Sequence, residues 1–133
     1  MKRNIAIVAT AALLIALAGC GKESAQPLIT GTVVSCNGIQ TIENPKLAIK
    51  ADCLDGLDGV NVAAIKGPAI VNVWGSWCAP CKKEMPYFEE FYATKDPNIQ
   101  LIGVDVEEKR IEDGRMFART HGVKWPNLYD SDG

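Results

Sequence analysis

The sequence has very little histidine, with only His121 in 133 residues, and only one C-x-x-C pair, Cys78 and Cys81. A structural zinc site usually needs two such pairs, or one pair with added histidines at ligand spacing. His121 stands 40 residues beyond Cys81, so a zinc site is disfavoured. We expect His121 to be a polar helix cap or a surface residue.

No apolar run reaches the roughly 20 residues that a membrane-spanning helix needs. The longest run, Ile5 to Ala18, has 14 residues and follows the basic start MKRN. A basic start, a short apolar run and then small residues are typical of a secretory signal peptide. Residues 1–19 are therefore predicted to be a signal peptide.

The apolar run ends in LAGC, residues 17–20, which resembles the bacterial lipobox. This resemblance implies that Cys20 is acylated and becomes the first mature residue; an ordinary signal peptide with an incidental cysteine is the alternative. Residues 20–27 then form a polar tether. The expected location is the extracytoplasmic face of the bacterial cytoplasmic membrane, with a lipid anchor, where stable disulfides are permitted.

The chain is also short of positive charge, with 14 Lys and Arg against 16 Asp and Glu. Removal of residues 1–19 takes away Lys2 and Arg3 and no acid, which leaves a mature net charge of −4 with histidine neutral. Nucleic acid binding rests on Lys and Arg contacts to phosphates. Nucleic acid is therefore not an expected partner.

Strand patterns alternate with helix patterns beyond the tether. Residues 29–42 predict an N-terminal β-hairpin with Asn37 and Gly38 in a type I′ turn. The β-branched run Ala69 to Trp74 predicts a strand covered on both faces. The later predicted elements are a buried strand at Ile99 to Val106, an amphipathic helix at Arg110 to His121 and an extended segment from residue 125. This alternation indicates an α/β domain over residues 28–133 with parallel strand pairing.

A helix is predicted to begin at the two cysteines and to continue to about Thr94. Pro80 suits its first turn, where N–H groups lack partners within the helix. Pro86 removes an interior hydrogen bond and is expected to kink the helix. The residues expected to share one face and pack on the sheet are Cys81, Met85, Phe88 and Tyr92.

The cysteine pair lies where a strand turns directly into this helix. Unpaired backbone N–H groups and the positive end of the helix dipole both favour a thiolate there. We therefore expect a lowered pKa at Cys78, which makes its sulfur the attacking nucleophile. Cys81, nearly one turn deeper on the same face, is expected to resolve the mixed disulfide. A purely structural disulfide is the alternative, although so short a loop constrains little.

The residues around the pair resemble those of a known family. The stretch WCAPCKKEMP after an apolar strand, followed by IQLIGVDVEE and HGVKWPNLYDSDG, is similar to membrane-anchored thiol-disulfide oxidoreductases of the TlpA/ResA type, in the thioredoxin-like redoxin superfamily. The resemblance covers roughly Pro45 to Gly133. It implies a thioredoxin-like fold, no bound cofactor, and reduction of disulfides in partner proteins, frequently apocytochrome c, with electrons from a membrane thiol donor.

The resemblance also implies roles for residues near the pair. Thioredoxin has a buried aspartate six residues before the first cysteine, whereas this chain has Asn72, which cannot act as that base. In the TlpA/ResA type an acid three residues after the second cysteine is proposed to move the proton, and the matching residue is Glu84. A solvated helix acid is the alternative for Glu84. Trp77 and Pro80 are expected to belong to the substrate-docking surface, and Trp74 to the core.

Cys36 and Cys53 lie outside the motif. Pairing them closes a loop of 18 residues, which contributes about 3 kcal/mol through loss of chain entropy in the unfolded state. The alternatives are that one or both are free, or that they form a second relay pair with the active site.

Family members continue past the DSDG turn with a helix, a strand preceded by a cis-proline that faces the C-x-x-C, another strand and a closing helix. This sequence has no match to them, so we expect a fold without the C-terminal ββα part. We also expect a fragment or truncated product that is weakly active or inactive, with an uncovered sheet edge.

Two other functions compete with thiol-disulfide exchange. A peroxiredoxin-like peroxidase shares the fold, but it needs a Thr two to three residues ahead of its peroxidatic cysteine, and none stands there before Cys78. A lipoprotein that binds a partner or a metal without turnover is the non-enzymatic alternative. It predicts that the Cys78 and Cys81 couple stays in one redox state when titrated against glutathione.

Overall fold

The computed structural model describes residues 32–133. The predicted signal peptide, the lipidated Cys20 and the tether of residues 20–27 lie outside the described residues. Between residues 32 and 133, no helix is long and apolar enough to cross a membrane.

The described chain forms one mixed sheet with two α-helices. The elements are β1 (Lys50–Cys53), β2 (Val60–Asn61), β3 (Ala69–Trp74), α1 (Ala79–Thr94), β4 (Gln100–Val106), α2 (Ile111–Thr120) and β5 (Asn127–Asp130), with short 3₁₀ helices at Cys36–Gly38 and Val62–Ala64. The strand order is β2-β1-β5-β4-β3. Strands β3, β4 and β5 are parallel, while β1 runs antiparallel to both β5 and β2. The predicted α/β fold with parallel pairing is confirmed.

Each face of the sheet carries its own core. Successive residues of a strand point to opposite faces, so Leu101 and Ile102 of β4 belong to different cores. Helices α1 and α2 cover the first core, whose buried members are Leu54, Trp74, Met85, Leu101, Phe117, Ala118, Val123 and Trp125. The second core contains Cys36, Ile39, Cys53, Ile102 and Leu128.

The helix predicted at the cysteines is confirmed in its start and its end. Cys78 is the N-cap, α1 ends at Thr94, and Pro80 lies in the first turn. The helix continues through Pro86, and the expected kink there stays a prediction. The residues expected on its sheet-facing side, Cys81, Met85, Phe88 and Tyr92, all pack in or against the first core.

The predicted N-terminal hairpin is wrong over the described part of residues 29–42. Cys36–Gly38 is a 3₁₀ helix, in which the Ile39 N–H donates to the Cys36 carbonyl at 2.9 Å. The Ser35 hydroxyl caps it by accepting from the Asn37 N–H at 3.3 Å. Neither Asn37 nor Gly38 has the positive φ of a type I′ turn. Thr41 instead pairs with Ile65 in an isolated antiparallel bridge.

The prediction that β3 is covered on both faces is also wrong. Within the described sheet β3 is an edge strand that pairs with β4 alone. Asn72 and Trp74 are buried on the face with the helices, but Val71 and Val73 on the other face are 52% and 59% exposed. The run is apolar throughout, but only one of its faces is packed. Among residues 32–133, no strand pairs with the outer edge of β3.

Candidate active site

Strand β3 delivers the cysteine pair to the carboxyl end of the parallel strands. After Trp74 the chain turns through residues 75–77, which we call the redox loop, and enters α1 at Cys78. The turn is closed by the Cys78 N–H, which donates to the Gly75 carbonyl at 3.0 Å. This edge of a parallel sheet is where α/β proteins commonly place their sites.

The structure joins Cys78 and Cys81 in a disulfide, with their Cα atoms 5.3 Å apart. The Cys78 sulfur also accepts the Cys81 backbone N–H at 3.2 Å, as the cap of α1. A sulfur in this position lies against the unpaired N–H groups and the positive dipole end of the helix. Both cysteines are partly exposed, but Cys81 also packs against the first core. The arrangement suits a reactive outer sulfur and a second sulfur behind it.

The residues expected at the docking surface lie on the outside of the molecule beside the disulfide. Trp77 is 58% exposed, and its indole N–H donates to the Val106 carbonyl at 3.2 Å. Pro80 is exposed in the first turn of α1. Trp77 therefore presents a fixed apolar surface next to Cys78. Its role in docking stays a prediction.

The two proton-handling positions differ in environment. Asn72 is buried in β3, and its side-chain nitrogen has no hydrogen-bond partner among the described residues. Glu84 is exposed on α1, although its neighbour Met85 is buried. The role of Glu84 as a proton carrier stays a prediction.

Beneath the redox loop, the Trp74 ring is held by a stacking contact and a hydrogen bond. It stacks on Phe117 with the ring centroids 4.8 Å apart. Its indole N–H donates to the Asn127 side-chain oxygen at 2.9 Å. The Asn127 amide in turn donates to the Trp125 carbonyl at 2.7 Å. Gly103 leaves room for this network, because a Cβ there would overlap the Asn127 side chain. The base of the site is therefore buried and hydrogen-bonded, with Trp74 and Asn127 each 1% exposed.

Two buried acids next to the redox loop were missed by the sequence analysis. Asp105 in β4 is 0% exposed and Glu108 is 8% exposed. Glu108 accepts hydrogen bonds from the Ser76 N–H and, at 2.8 Å, from the Ser76 hydroxyl. Burial, followed by the negative charge of Glu108, raises the pKa of Asp105 to about 8. An acid inside the apolar run IQLIGVDV was the one signal for this pair in the sequence.

The second cysteine pair is separate from the first. Cys36 and Cys53 form a disulfide with their Cα atoms 6.0 Å apart, and they are 3% and 0% exposed in the second core. Cys81 packs against the first core, on the other face of the sheet. A buried bridge on the opposite face is suited to holding the N-terminal segment on β1, and it has no surface for exchange with a partner.

His121 is the C-cap of α2, which is one of the two roles expected for it. Its Nδ1 lies 3.0 Å from the Phe117 carbonyl oxygen, and its ring stacks on the Phe117 ring. In residues 32–133, no three His, Cys, Asp or Glu side chains are grouped so that they could hold a metal ion.

The sequence profile of the AhpC/TSA family matches residues 43–133. The chain belongs to the AhpC/TSA family. It is similar to the thiol-disulfide oxidoreductase ResA of Bacillus subtilis, with 32% identity over 114 residues that cover 75% of this chain and 63% of that protein. It is 36% identical over 73 residues to ResA of Bacillus anthracis, covering 53% of this chain and 42% of that protein. The chain thus spans less than two thirds of these curated relatives, and its resemblance to ResA is confirmed.

Solved structures confirm the thioredoxin-like fold of this AhpC/TSA member. The thioredoxin domain of a thiol-disulfide oxidoreductase from Bacteroides vulgatus matches with 27% identity and a TM-score of 0.52, covering 68% of this chain and 64% of that one. A secreted Mycobacterium tuberculosis disulfide oxidoreductase homologous to E. coli DsbE matches with 23% identity and a TM-score of 0.55, covering 62% and 60%. At this identity the second likeness shows the fold alone.

Proposed function

We propose that the chain is a thiol-disulfide oxidoreductase that reduces disulfides in partner proteins outside the cytoplasm. The observation that carries this proposal is the position of Cys78, which caps α1 with its sulfur against the Cys81 N–H and is bonded to Cys81. The ResA similarity gives independent support for the same chemistry.

In the reduced state the Cys78 thiolate attacks one sulfur of the partner's disulfide. The partner's other sulfur leaves as a thiolate, and a mixed disulfide joins Cys78 to the partner. Cys81 then loses its proton and attacks the Cys78 sulfur, which releases the partner's second thiolate. The partner gains two electrons and the Cys78–Cys81 disulfide forms. A thiol donor in the membrane returns the pair to the dithiol by the reverse exchange.

The proton of Cys81 needs an acceptor during the resolving step. Asn72 has no basic form, so it cannot serve. Glu84, one turn after Cys81, carries a carboxylate open to solvent and is proposed for this role. Replacement by glutamine then slows the resolution of the mixed disulfide and leaves its formation unchanged.

Apocytochrome c, whose haem site holds a cysteine pair, is the substrate proposed from the resemblance to ResA. The signal-like start and Cys20 support a lipid-anchored position on the outer face of the cytoplasmic membrane. Incorporation of labelled palmitate into the expressed chain, lost in Cys20→Ser, tests the anchor. Unchanged labelling in that variant contradicts it.

Activity is tested by reduction of insulin and of a peptide carrying a haem-site cysteine pair as its disulfide. The chain is expected to accelerate both reactions, and Cys78→Ala is expected to abolish the acceleration. Cys81→Ala should instead accumulate the mixed disulfide on Cys78, visible by mass spectrometry. Acceleration that survives in Cys78→Ala refutes the proposal. Rapid peroxide consumption with a sulfenic acid at Cys78 favours the peroxidase alternative instead.

A further inference from the structure

Glu108 contacts the redox loop at Ser76. One carboxylate oxygen accepts the Ser76 backbone N–H and the other accepts the Ser76 hydroxyl at 2.8 Å. Ser76 is two residues before Cys78. Two hydrogen bonds from one residue to a carboxylate fix both distance and orientation. The position of the loop that leads into Cys78 therefore depends on Glu108.

Asp105 is buried next to this contact. It is the β4 residue that pairs in register with Trp74, the last residue of β3. Its side chain is 0% exposed, and among the described residues no group donates a hydrogen bond to either carboxyl oxygen. When Asp105 is protonated, its own O–H can donate to Glu108. A charged carboxylate in such a place carries a large desolvation cost, whereas a protonated carboxyl carries much less.

Helix α2 is shaped around the Asp105 carboxyl. Gly114 lies in the interior of α2, and a Cβ at this position would overlap an oxygen of Asp105. Glycine inside a helix costs about 1 kcal/mol relative to alanine. The glycine thus permits α2 to pack against Asp105. The Asp105 carboxyl occupies the space that a side chain at position 114 would need.

The groups that face Asp105 are mostly acidic or neutral. Glu108 comes from the turn after β4, and Tyr129 is the register partner of Asp105 on β5. The other ionisable groups around the cleft and on α2 are Glu107, Lys109, Glu112 and Asp113, and the cleft at Ser76 is also lined by Lys82 and His121. None of these groups donates a hydrogen bond to the Asp105 carboxyl.

The nearby arginines are already engaged. Arg110 pairs with Asp113 at 2.7 Å. Arg115 donates to the Leu54 carbonyl at 2.7 Å and contacts Glu112 at 3.4 Å. Neither arginine therefore contacts the Asp105 carboxyl, and the raised pKa of Asp105, about 8, caused by burial and then by Glu108, agrees with this geometry.

We propose that Asp105 is a positioning residue for the redox loop, which keeps its proton at neutral pH so that Glu108 can hold Ser76. While only one of Asp105 and Glu108 carries a negative charge, Glu108 keeps both hydrogen bonds from Ser76. When Asp105 ionises, a second negative charge repels the Glu108 carboxylate and weakens its hold on Ser76. The loop then loosens, and Cys78 loses its fixed place at the helix cap. This inference rests on the proposed function, because it is measured through the reactivity of Cys78.

The test compares Cys81→Ala with the double variant Cys81→Ala/Asp105→Asn in their reaction with 4,4′-dithiodipyridine between pH 6 and 9.5. Asparagine keeps the shape of Asp105 and removes its titration. With Asp105 present, the rate constant is expected to rise as Cys78 ionises and then to fall by about fivefold above pH 8 through carboxylate repulsion. In the double variant the rate constant should reach a plateau without this fall.

Glu107→Gln in the Cys81→Ala background is the matched control, because Glu107 is exposed on the same turn as Glu108. It should keep the alkaline fall. If the Asp105→Asn variant does not fold, Glu108→Gln takes its place. It loses one acceptor for Ser76, so its rate constant should be lower at every pH, but it also removes the second charge and should abolish the alkaline fall. The inference is overturned if the alkaline fall is absent with Asp105 present, survives Asp105→Asn or Glu108→Gln, or vanishes in Glu107→Gln. Failure of the proposed function appears differently, as a chain that reduces no insulin at any pH.

Discussion

The buried carboxyl of Asp105 makes the stability of the fold depend on pH in a direction that can be calculated. Its pKa is about 8 in the folded chain, against an ordinary value of 3.8. Between these two values the unfolded chain has lost the proton and the folded chain still holds it. The folded state then binds more protons, so the free energy of unfolding falls as pH rises through this window. The contribution of Asp105 to the free energy of unfolding is fully present below pH 4 and is lost by about pH 8.

The magnitude follows from 1.36 kcal/mol for each unit of pKa. The whole window corresponds to an upper value of about 6 kcal/mol, which water penetration and relaxation reduce. From pH 6 to pH 8 the expected loss is about 2 kcal/mol. Asp105→Asn removes this titration. Between pH 6 and pH 8 the unaltered chain should therefore lose about 2 kcal/mol of its free energy of unfolding relative to the Asp105→Asn variant.

Urea unfolding followed by tryptophan fluorescence at pH 6, 7, 8 and 9 measures this difference. Trp74 and Trp125 are both 1% exposed, so their emission reports loss of the first core. Both disulfides are kept oxidised, and Glu107→Gln controls for loss of an exposed acid at the same turn. Parallel stability curves for Asp105→Asn and the unaltered chain between pH 6 and pH 8 refute the reasoning.

Three further changes test other parts of the structure. The double variant Cys36→Ala/Cys53→Ala should lose about 3 kcal/mol in urea unfolding, and an unchanged midpoint contradicts a stabilising bridge. Gly114→Ala should lower the free energy of unfolding by about 1–3 kcal/mol, because the added Cβ overlaps Asp105. Helix propensity alone predicts a gain of about 1 kcal/mol, so increased thermal stability of the variant contradicts the close packing of α2 on Asp105. Trp77→Ala should raise KM for insulin about tenfold with little effect on dithiodipyridine, and equal effects on both count against a docking role.

The redox motif and its helix were predictable because local features agree there. An apolar strand, two cysteines, a proline suited to a first turn and a regular apolar face all indicate the same strand and helix. The structure has Cys78 at the cap and Met85 in the core, as this pattern predicts. Pro86 is the one local feature that opposes a helix here, and α1 continues through it.

The N-terminal segment was not predictable from its turn signal. Asn37 and Gly38 favour a hairpin locally, but Cys36 is bonded to Cys53 and Ser35 caps a 3₁₀ turn. Tertiary contacts thus override the local preference. The exposure of β3 was missed for a related reason: an apolar run indicates a strand, but not how many of its faces are covered.

The two buried acids near the active site, Asp105 and Glu108, were missed because only the tertiary structure brings them together with Ser76. Asp105 interrupts an apolar strand, Glu108 follows in a charged turn, and Gly114 lies in a helix. Sequence spacing does not bring these residues together with Ser76. The crossover from β4 to α2 closes the helix over the acid, and the strand register sets it beside the redox loop.

The central claim is that Cys78 is the reactive sulfur and Cys81 lies behind it. Its most direct test is the rate of alkylation by iodoacetamide across pH, for Cys78 in Cys81→Ala and for Cys81 in Cys78→Ala. The position of Cys78 at the helix cap predicts a midpoint below the value of about 8.5 for free cysteine, and faster alkylation than at Cys81. A midpoint at or above 8.5 for Cys78, or faster alkylation of Cys81, contradicts the account.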